Sequence, residues 1–402
     1  MNIVVVTREE FPYGSAASNR VLTYMPSIVA LGHQVTILCL FLSRKENVEL
    51  LDENGECVFN GIKIKYAGGK KPWPVGGKAY FTKAQLMLKS RNMAKKYLSE
   101  KRDNIDIVQM YSTDISLYER YWKICKQLGL KYVIERSELP DIIKNKEVYN
   151  TPKGKNYIKR SEKAFGLFDG WILETQTLFN YYSNFFETGT KCVIVPMTVE
   201  VERFTITKSA NPNYGKYIAY CGNMQEVDGV SILIRAFGIV NRQYPDVKLV
   251  LAGDSTDVPS QKQLAESLGI KDNVIFLGKI TRNEVPQFLT DATLLALASP
   301  TSDRACASMP CKVGEYLCTG NPVVVTGLGE INKYLKDGKT AYLSTPDSPE
   351  AFAFKLEEAL SDSRKAYVIG QNGKEVAIQN FSSDAQVKRI ESFYRTILLD
   401  KK

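Results

Sequence analysis

Lys312 and Glu315 stand three residues apart in the stretch 308–325, SMPCKVGEYLCTGNPVVV. Residues at that spacing share one face of a helix, so a cation and a carboxylate would project together. Pro310 suits a first helical turn, Ser308 or Met309 can cap it, and Gly320 suits a left-handed stop before Pro322 and a β-branched strand. The stretch is therefore predicted to be a short helix beginning around Met309 and Pro310. Its first-turn amides lack intrahelical partners and carry partial positive charge, which suits a diphosphate. Lys312 then offers a cation to phosphate and Glu315 a carboxylate able to accept two hydroxyls of a ribose. The competing reading is an exposed Lys/Glu pair on a surface helix. Arg304 is a further cation close by in sequence.

A second polar cluster lies in VIERSELPD, which follows a strand starting at Lys131. Strand ends are where parallel sheets place their site residues, so Glu135, Arg136 and Glu138 are candidates for contact with a substrate, and an ion-pair group at a loop mouth is the alternative. Gln109 and Tyr111 end the preceding strand. His33 is the single histidine of the chain, so a Ser-His-Asp triad, a Cys-His dyad or a multi-histidine metal site would have to be built on it alone. The eight cysteines are scattered without a CxxC pair and read as reduced, mostly buried thiols; no metal site is expected.

The formal net charge of +9 is concentrated. Between residues 61 and 102 twelve basic residues face one acid, Glu100, with Trp73, Tyr80 and Phe81 among them. This run reads either as a solvated face or as a patch for an anionic membrane surface. No nucleic-acid partner is expected. The opening MNIVVVTREEF lacks the basic-then-apolar order of a signal peptide, and no stretch reaches the roughly 18 apolar residues of a membrane helix. The expected location is cytoplasmic, at most peripheral at the inner face of the membrane.

These groups need elements to position them. A chain of 402 residues exceeds what one hydrophobic core supports, so two domains are expected. Short β-branched runs alternate with longer amphipathic stretches, the rhythm of βαβ units. Strands are predicted at 2–7, 34–40, 62–67, 105–111, 131–136, 170–174 and 192–196, with helices at 18–31, 78–98 and 155–168 among them. After a loop-like FTITKSANPNYG the rhythm restarts, with strands at 217–221, 248–252, 273–277, 293–298, 322–326 and 341–344. The expected fold is α/β, two tandem doubly wound (Rossmann-like) domains facing across a cleft. Residues 1–198, joined by a closing helix within 383–402, form the first domain, and 199–382 the second.

The stretch around Lys312 resembles the PSKxxEYxAxGxPVV element of bacterial GT-B glycosyltransferases, in the large retaining family that includes glycogen-synthase-like and polysaccharide-assembly enzymes. Further landmarks match in order: FPYGSAASNR, LGHQV, YCGNM, LVLAGD, DNVIFLGKI and a closing helix with FYRTIL. The resemblance implies that the second domain holds the donor and the first the acceptor. It implies that Glu315 grips the donor ribose and that Gly222 and Asn223 lie along the diphosphate. Gly278, Lys279 and Ile280 would line the base, and the loop at Gly14 and Ser15 would approach the diphosphate. His33 falls in the family's GHxV turn and is expected to be structural.

The departures carry information of their own. Ala307 stands where the family usually has a glutamate on the transferred sugar, and Asn223 and Asp228 stand where it tends to carry an arginine and a lysine. A carboxylate beside a diphosphate repels it, so Asp228 is expected to face solvent or cap a helix. Lys312 and Arg304 are then the nearest sources of the missing charge. The expected function is metal-independent, cofactor-free transfer from a nucleoside diphosphate sugar, with uridine as base, to a glycan or lipid-linked glycan, with retention implied by the resemblance. A nucleotide-sugar epimerase of the same fold and a non-catalytic binding subunit are the alternatives.

Overall fold

The structure, a computed structural model, describes residues 1–74, 80–140 and 149–399. Lys78 of the basic run, Asp141 of the loop after Arg136 and residues 400–402 of the closing stretch lie outside the described residues. The chain divides into two compact units, Met1–Pro196 with Gln386–Lys402, and Met197–Ala385.

Unit 1 is built on β1 (Asn2–Thr7), β2 (Gln34–Cys39), β3 (Glu56–Phe59), β4 (Ile62–Tyr66), β5 (Ile107–Tyr111), β6 (Lys131–Arg136), β7 (Gly170–Leu173) and β8 (Lys191–Ile194). They form one sheet in the order β3-β4-β2-β1-β5-β6-β7-β8. All its pairings are parallel except β3 with β4, a hairpin the sequence pattern did not signal. β1 is buried from Ile3 to Thr7, because a parallel strand covered on both faces can be continuously apolar. The stretch predicted as one helix over 18–31 is two, Ala16–Leu22 and Met25–Ala30, broken at Thr23 and Tyr24 ahead of Pro26. The closing helix, Ser383–Leu399, buries Val387, Ile390, Phe393, Tyr394 and Ile397 in the core of this unit. Gly170 makes room for it: a Cβ there would lie 2.8 Å from the Phe393 ring and closer still to Ile397.

Unit 2 is built on β9 (Tyr217–Cys221), β10 (Lys248–Ala252), β11 (Val274–Gly278), β12 (Leu294–Leu297), β13 (Val323–Thr326) and β14 (Tyr342–Ser344). Their order is β11-β10-β9-β12-β13-β14, all parallel. From β9 the chain winds outward one way through β10 and β11, and from β12 the other way through β13 and β14. The switch point therefore lies between β9 and β12; in unit 1 it lies between β1 and β5.

A buried polar network ties unit 1 together. Arg20 bonds Glu135 Oε1 through Nε at 3.0 Å, donates Nη2 to the Val195 carbonyl at 2.7 Å, and donates Nη1 to the Pro196 carbonyl. Gln109 Nε2 donates to Glu135 Oε2 at 2.9 Å, Tyr24 donates its hydroxyl to the same carboxylate, and Tyr394 on the closing helix donates to Gln109 Oε1. Burial works against the charge on Arg20, but Glu135 and Glu174 outweigh it and raise its pKa above the ordinary value. Removing one partner of a buried pair strands the other charge at a cost of about 3–5 kcal/mol. Glu135→Ala is expected to destabilise unit 1 by about that much. The three tryptophans, Trp73, Trp122 and Trp171, all lie in unit 1, so the intrinsic-fluorescence midpoint in urea isolates its unfolding. An unchanged midpoint would show that the network does not support the unit.

Candidate functional site

The site begins where β9 ends. Gly222 has φ 155°, and a Cβ on it would lie against Lys312 Cε and 2.6 Å from Nζ, so the lysine stem crosses a residue with no side chain. Gly253, after β10, has φ 151° and would press a Cβ into the Gly222 carbonyl. These two close approaches fold the strand ends into a narrow seat at the switch point.

Over this seat stands the helix Cys311–Cys318, with Pro310 as its N-cap rather than a residue of its first turn. No side chain caps it, and Ser308 instead ends the short helix Asp303–Ala307, donating to the Arg304 carbonyl at 2.8 Å. Val313, Leu317 and Cys318 are buried, which fixes the rotation of the helix. Tyr316 is buried with them and its hydroxyl accepts the Cys221 amide at 2.8 Å, pinning the helix to the end of β9. Met309 is 2% exposed, so its side chain belongs to the core and it offers the site only backbone.

The Lys312 ammonium donates to Tyr220 OH at 2.8 Å, lies 4.8 Å from the Tyr220 ring centroid, and meets Asp228 Oδ1 at 3.5 Å. Asn223 Nδ2 donates to the other oxygen of Asp228 at 2.7 Å, and Tyr220 donates to the Asn223 carbonyl. Asp228 therefore neither faces solvent nor caps a helix, as its sequence suggested. It lies in a short 3₁₀ turn, Glu226–Asp228, ended by left-handed Gly229, and turns inward to the lysine. Burial lowers the Lys312 pKa, Asp228 opposes the shift, and the nearby Arg304 adds to it. Arg304 is itself exposed.

Glu315 has a different environment. Its Oε1 lies 3.5 Å from Arg203 Nη1, and Arg203 in turn reaches Glu200 at 3.7 Å and the Arg282 carbonyl at 2.7 Å. Burial raises the Glu315 pKa, and Arg203 and Arg282 counter it. Arg203, Glu200, Tyr220 and Tyr316 were not legible as site residues: the first two lie beside a stretch read as linker, and the tyrosines look like strand and helix core. Gly278 ends β11 in the left-handed region at φ 71°, Lys279 is exposed and 3.7 Å from Asp254, and Ile280 packs on the core of unit 2.

The unit 1 candidates have other occupations. Arg136 is 5% exposed and donates to Tyr118 OH at 3.1 Å, the Ser112 carbonyl at 3.4 Å and the Glu138 carbonyl at 3.2 Å. Glu135 is 2% exposed inside the network of Arg20. Both side chains are buried and engaged with internal partners, although Arg136 also borders a hollow with Tyr118 and Ser161; Glu138 contributes its carbonyl, which also accepts from Tyr182 at 3.0 Å. Ser15 N-caps the helix Ala16–Leu22 and donates to Glu9 at 3.0 Å, and Gly14 packs against Ser18 and the Glu10 carbonyl. His33 joins the N-terminal amine to Glu391, a structural position.

The basic run is partly spent on local pairing. Lys63 and Lys65 both reach Glu56 at 2.6 Å, and Lys70 donates to the Leu51 carbonyl. The helix Tyr80–Glu100 keeps Lys89, Lys95 and Lys96 exposed, together with Phe81, Leu88 and Met93. Among the described residues no helix is long and apolar enough to cross a membrane, and no group of three or more His, Cys, Asp or Glu could hold a metal ion.

Residues 201–376 match the family Glycosyl transferases group 1, a stretch that includes the seat, Lys312 and Glu315. N-acetyl-alpha-D-glucosaminyl L-malate synthase of Bacillus anthracis is 27% identical over 187 residues, 46% of this chain and 47% of that protein. D-inositol 3-phosphate glycosyltransferase of Corynebacterium urealyticum is 24% identical over 224 residues, 52% of this chain and 51% of that protein. The chain spans about half the length of the curated relatives it matches. Among solved structures, sucrose-phosphate synthase from Thermosynechococcus elongatus aligns with a TM-score of 0.75 at 15% identity over 100% of both chains. Anabaena HepE in complex with UDP aligns at 0.71 and 15% identity, over 98% of this chain and 100% of that one. The fold is that of the GT-B glycosyltransferases.

The close approach at Gly222 is directly testable. Gly222→Ala places a Cβ in the path of Lys312 and holds an L-residue at a strained φ, at a cost of about 1–3 kcal/mol. Lys312 is expected to be expelled and to react faster with an amine-acylating reagent, read by mass spectrometry. Acylation at the wild-type rate would mean that the lysine does not cross Gly222.

Proposed function

We propose that the protein is a glycosyltransferase whose second unit binds a nucleoside diphosphate sugar, with uridine as base, and whose acceptor is a hydroxyl of a glycan or lipid-linked glycan. The observation that carries this reading is the Lys312 ammonium held over Gly222 at the switch point, with Glu315 one turn along the same helix. The relatives' names support glycosyl transfer as the reaction class.

In this reading Glu315 accepts the two ribose hydroxyls, and Arg203 holds the carboxylate ready. Gly222 and Asn223 run along the diphosphate, the backbone at Met309 and Pro310 and the amides that follow face it, and Gly278, Lys279 and Ile280 border the base. When the bond from the anomeric carbon to the diphosphate oxygen breaks, negative charge grows on the departing nucleotide. Lys312, Arg304 and the helix N-terminus oppose it with groups already in place, and such preorganised charge is worth several kcal/mol to a transition state. The acceptor oxygen bonds to the anomeric carbon, and its proton passes to the departing diphosphate or to water. The proposal includes retention of configuration, no resident cofactor and no metal. It also places the exposed face of the helix Tyr80–Glu100 against an anionic membrane bearing the acceptor, since each lysine near such a surface contributes about 1 kcal/mol.

Turnover is measured with a panel of nucleotide sugars in excess EDTA. Release of nucleoside diphosphate supports the proposal. Isomerised donor would identify an epimerase, binding without turnover a non-catalytic subunit, and activity that only Mg²⁺ or Mn²⁺ restores would exclude the metal-free mechanism. Glu315→Ala should weaken donor binding at least tenfold, since hydrogen bonds to a charged group are worth about 1.5–3 kcal/mol each. Lys312→Ala should lower kcat more than it raises KM, because its charge matters most in the transition state. Wild-type affinity and turnover in both variants would remove the donor from this helix.

The membrane placement has its own test. Sedimentation with anionic vesicles should exceed that with neutral ones and fall when Lys89, Lys95 and Lys96 become Gln; equal sedimentation would leave the helix a solvated face.

A further inference from the structure

Unit 1 has a second polar constellation at the switch point of its own sheet. Arg8 follows β1 and Asp114 follows shortly after β5, and their side chains span the gap between the two strands, Nη1 to Oδ2, at 2.9 Å. The crevice beyond the carboxyl ends of the strands at such a point is where open parallel sheets receive ligands. Arg91, from the helix Tyr80–Glu100, approaches the same Oδ2 at 3.9 Å. The other oxygen of Asp114 is committed elsewhere: it caps the helix Ile115–Leu128, accepting from the Ser116 amide at 3.0 Å and its hydroxyl at 2.7 Å.

One carboxylate therefore holds two guanidinium groups side by side and neutralises one of them. Burial works against the ionised form of Asp114, but the bonds from Ser116 and Arg8 outweigh it and keep its carboxyl below the ordinary range. The cluster thus carries an excess positive charge at neutral pH. Folding stability does not account for it, because the Arg8 side chain is 45% exposed and an ion pair in that setting contributes little. Arginine pairs are suited to planar, bidentate recognition of phosphate or carboxylate.

Beside the cations lies an aromatic surface. Phe41, just beyond β2, and Trp73 meet with ring centroids 4.9 Å apart and planes inclined by 53°. Two hollows adjoin at this pair, one bordered by Arg8, Met87, Arg91 and Leu117, the other by Lys71 and Ser90. A half-buried aromatic face next to fixed cations offers a flat apolar surface to the C–H face of a pyranose and charge to a substituent on it.

We infer that this crevice is the acceptor site and that the acceptor is a sugar bearing an anionic group, phosphate or carboxylate, next to the ring that packs on Trp73 and Phe41. The inference rests on the glycosyl-transfer reading for the word acceptor; the sugar-anion site itself stands on unit 1 alone. Calorimetric titrations of the full chain in saturating UDP, with glucose, glucose 6-phosphate and glucuronate, test it. At least one charged sugar should bind tenfold or more tighter than glucose. Phosphate-specific binding assigns a sugar phosphate, and carboxylate-specific binding a uronic acid. Arg8→Met combined with Arg91→Met keeps the apolar stems and should erase that preference while leaving UDP affinity unchanged, and tryptophan fluorescence checks that unit 1 is folded. Arg8→Lys should restore part of the preference. Charged sugars that bind no tighter than glucose, or a preference that survives the double variant, would overturn the inference. If UDP fails to bind while a charged sugar does, the donor assignment falls and the sugar-anion site remains.

Discussion

The arrangement of unit 2 depends on a cation crossing a glycine. Lys312 leaves its helix over Gly222, whose φ of 155° and missing Cβ let the stem pass, and its ammonium comes to rest between Tyr220 and Asp228. The other local features follow from that passage. The helix must approach the end of β9 closely, which the Tyr316 hydroxyl secures by accepting the Cys221 amide. Gly253 must let its own backbone reach the Gly222 carbonyl. Partial burial lowers the Lys312 pKa, and Asp228 opposes that shift.

This gives the departures at Asn223 and Asp228 a common physical account. An ammonium supplied by the helix is half-buried and favoured by a nearby anion, whereas a lysine at position 228 would repel it. Asp228 is that anion, 3.5 Å from the Lys312 ammonium and oriented by Asn223 at 2.7 Å.

The helix Cys311–Cys318 was legible because several independent signals agreed: prolines at 310 and 322, a left-handed glycine at 320, and a β-branched strand beyond. The parallel sheets were legible for the same reason, since continuous apolar runs such as Val4–Val6 and Val323–Val325 have few other stable placements. Side-chain direction was not. VIERSELPD shows charged residues at a strand end, yet Glu135 and Arg136 both turn inward, one to Arg20 and the other to Tyr118. Whether a charged residue is buried depends on a partner more than a hundred positions away, as with Arg20 and Glu135, and no local pattern records that. Arg203 was missed likewise, because its partner Glu315 lies on a different element.

The two units use one architectural rule with different side chains. Each sheet reverses its winding at an interior strand, leaving a gap between diverging connections, and at each gap an aspartate pairs with basic side chains: Lys312 in unit 2, Arg8 and Arg91 in unit 1. In unit 2 Asp228 holds an ammonium beside bare backbone, which suits a ligand whose charge must come close to the main chain. In unit 1 Asp114 holds two guanidinium groups beside an aromatic pair, which suits a ligand with an apolar face as well as a charge. A lysine presents a compact point charge, whereas a guanidinium presents a planar fork of donors. The difference between the two gaps lies in which cation each aspartate holds and what apolar surface stands beside it, on sheets wound the same way.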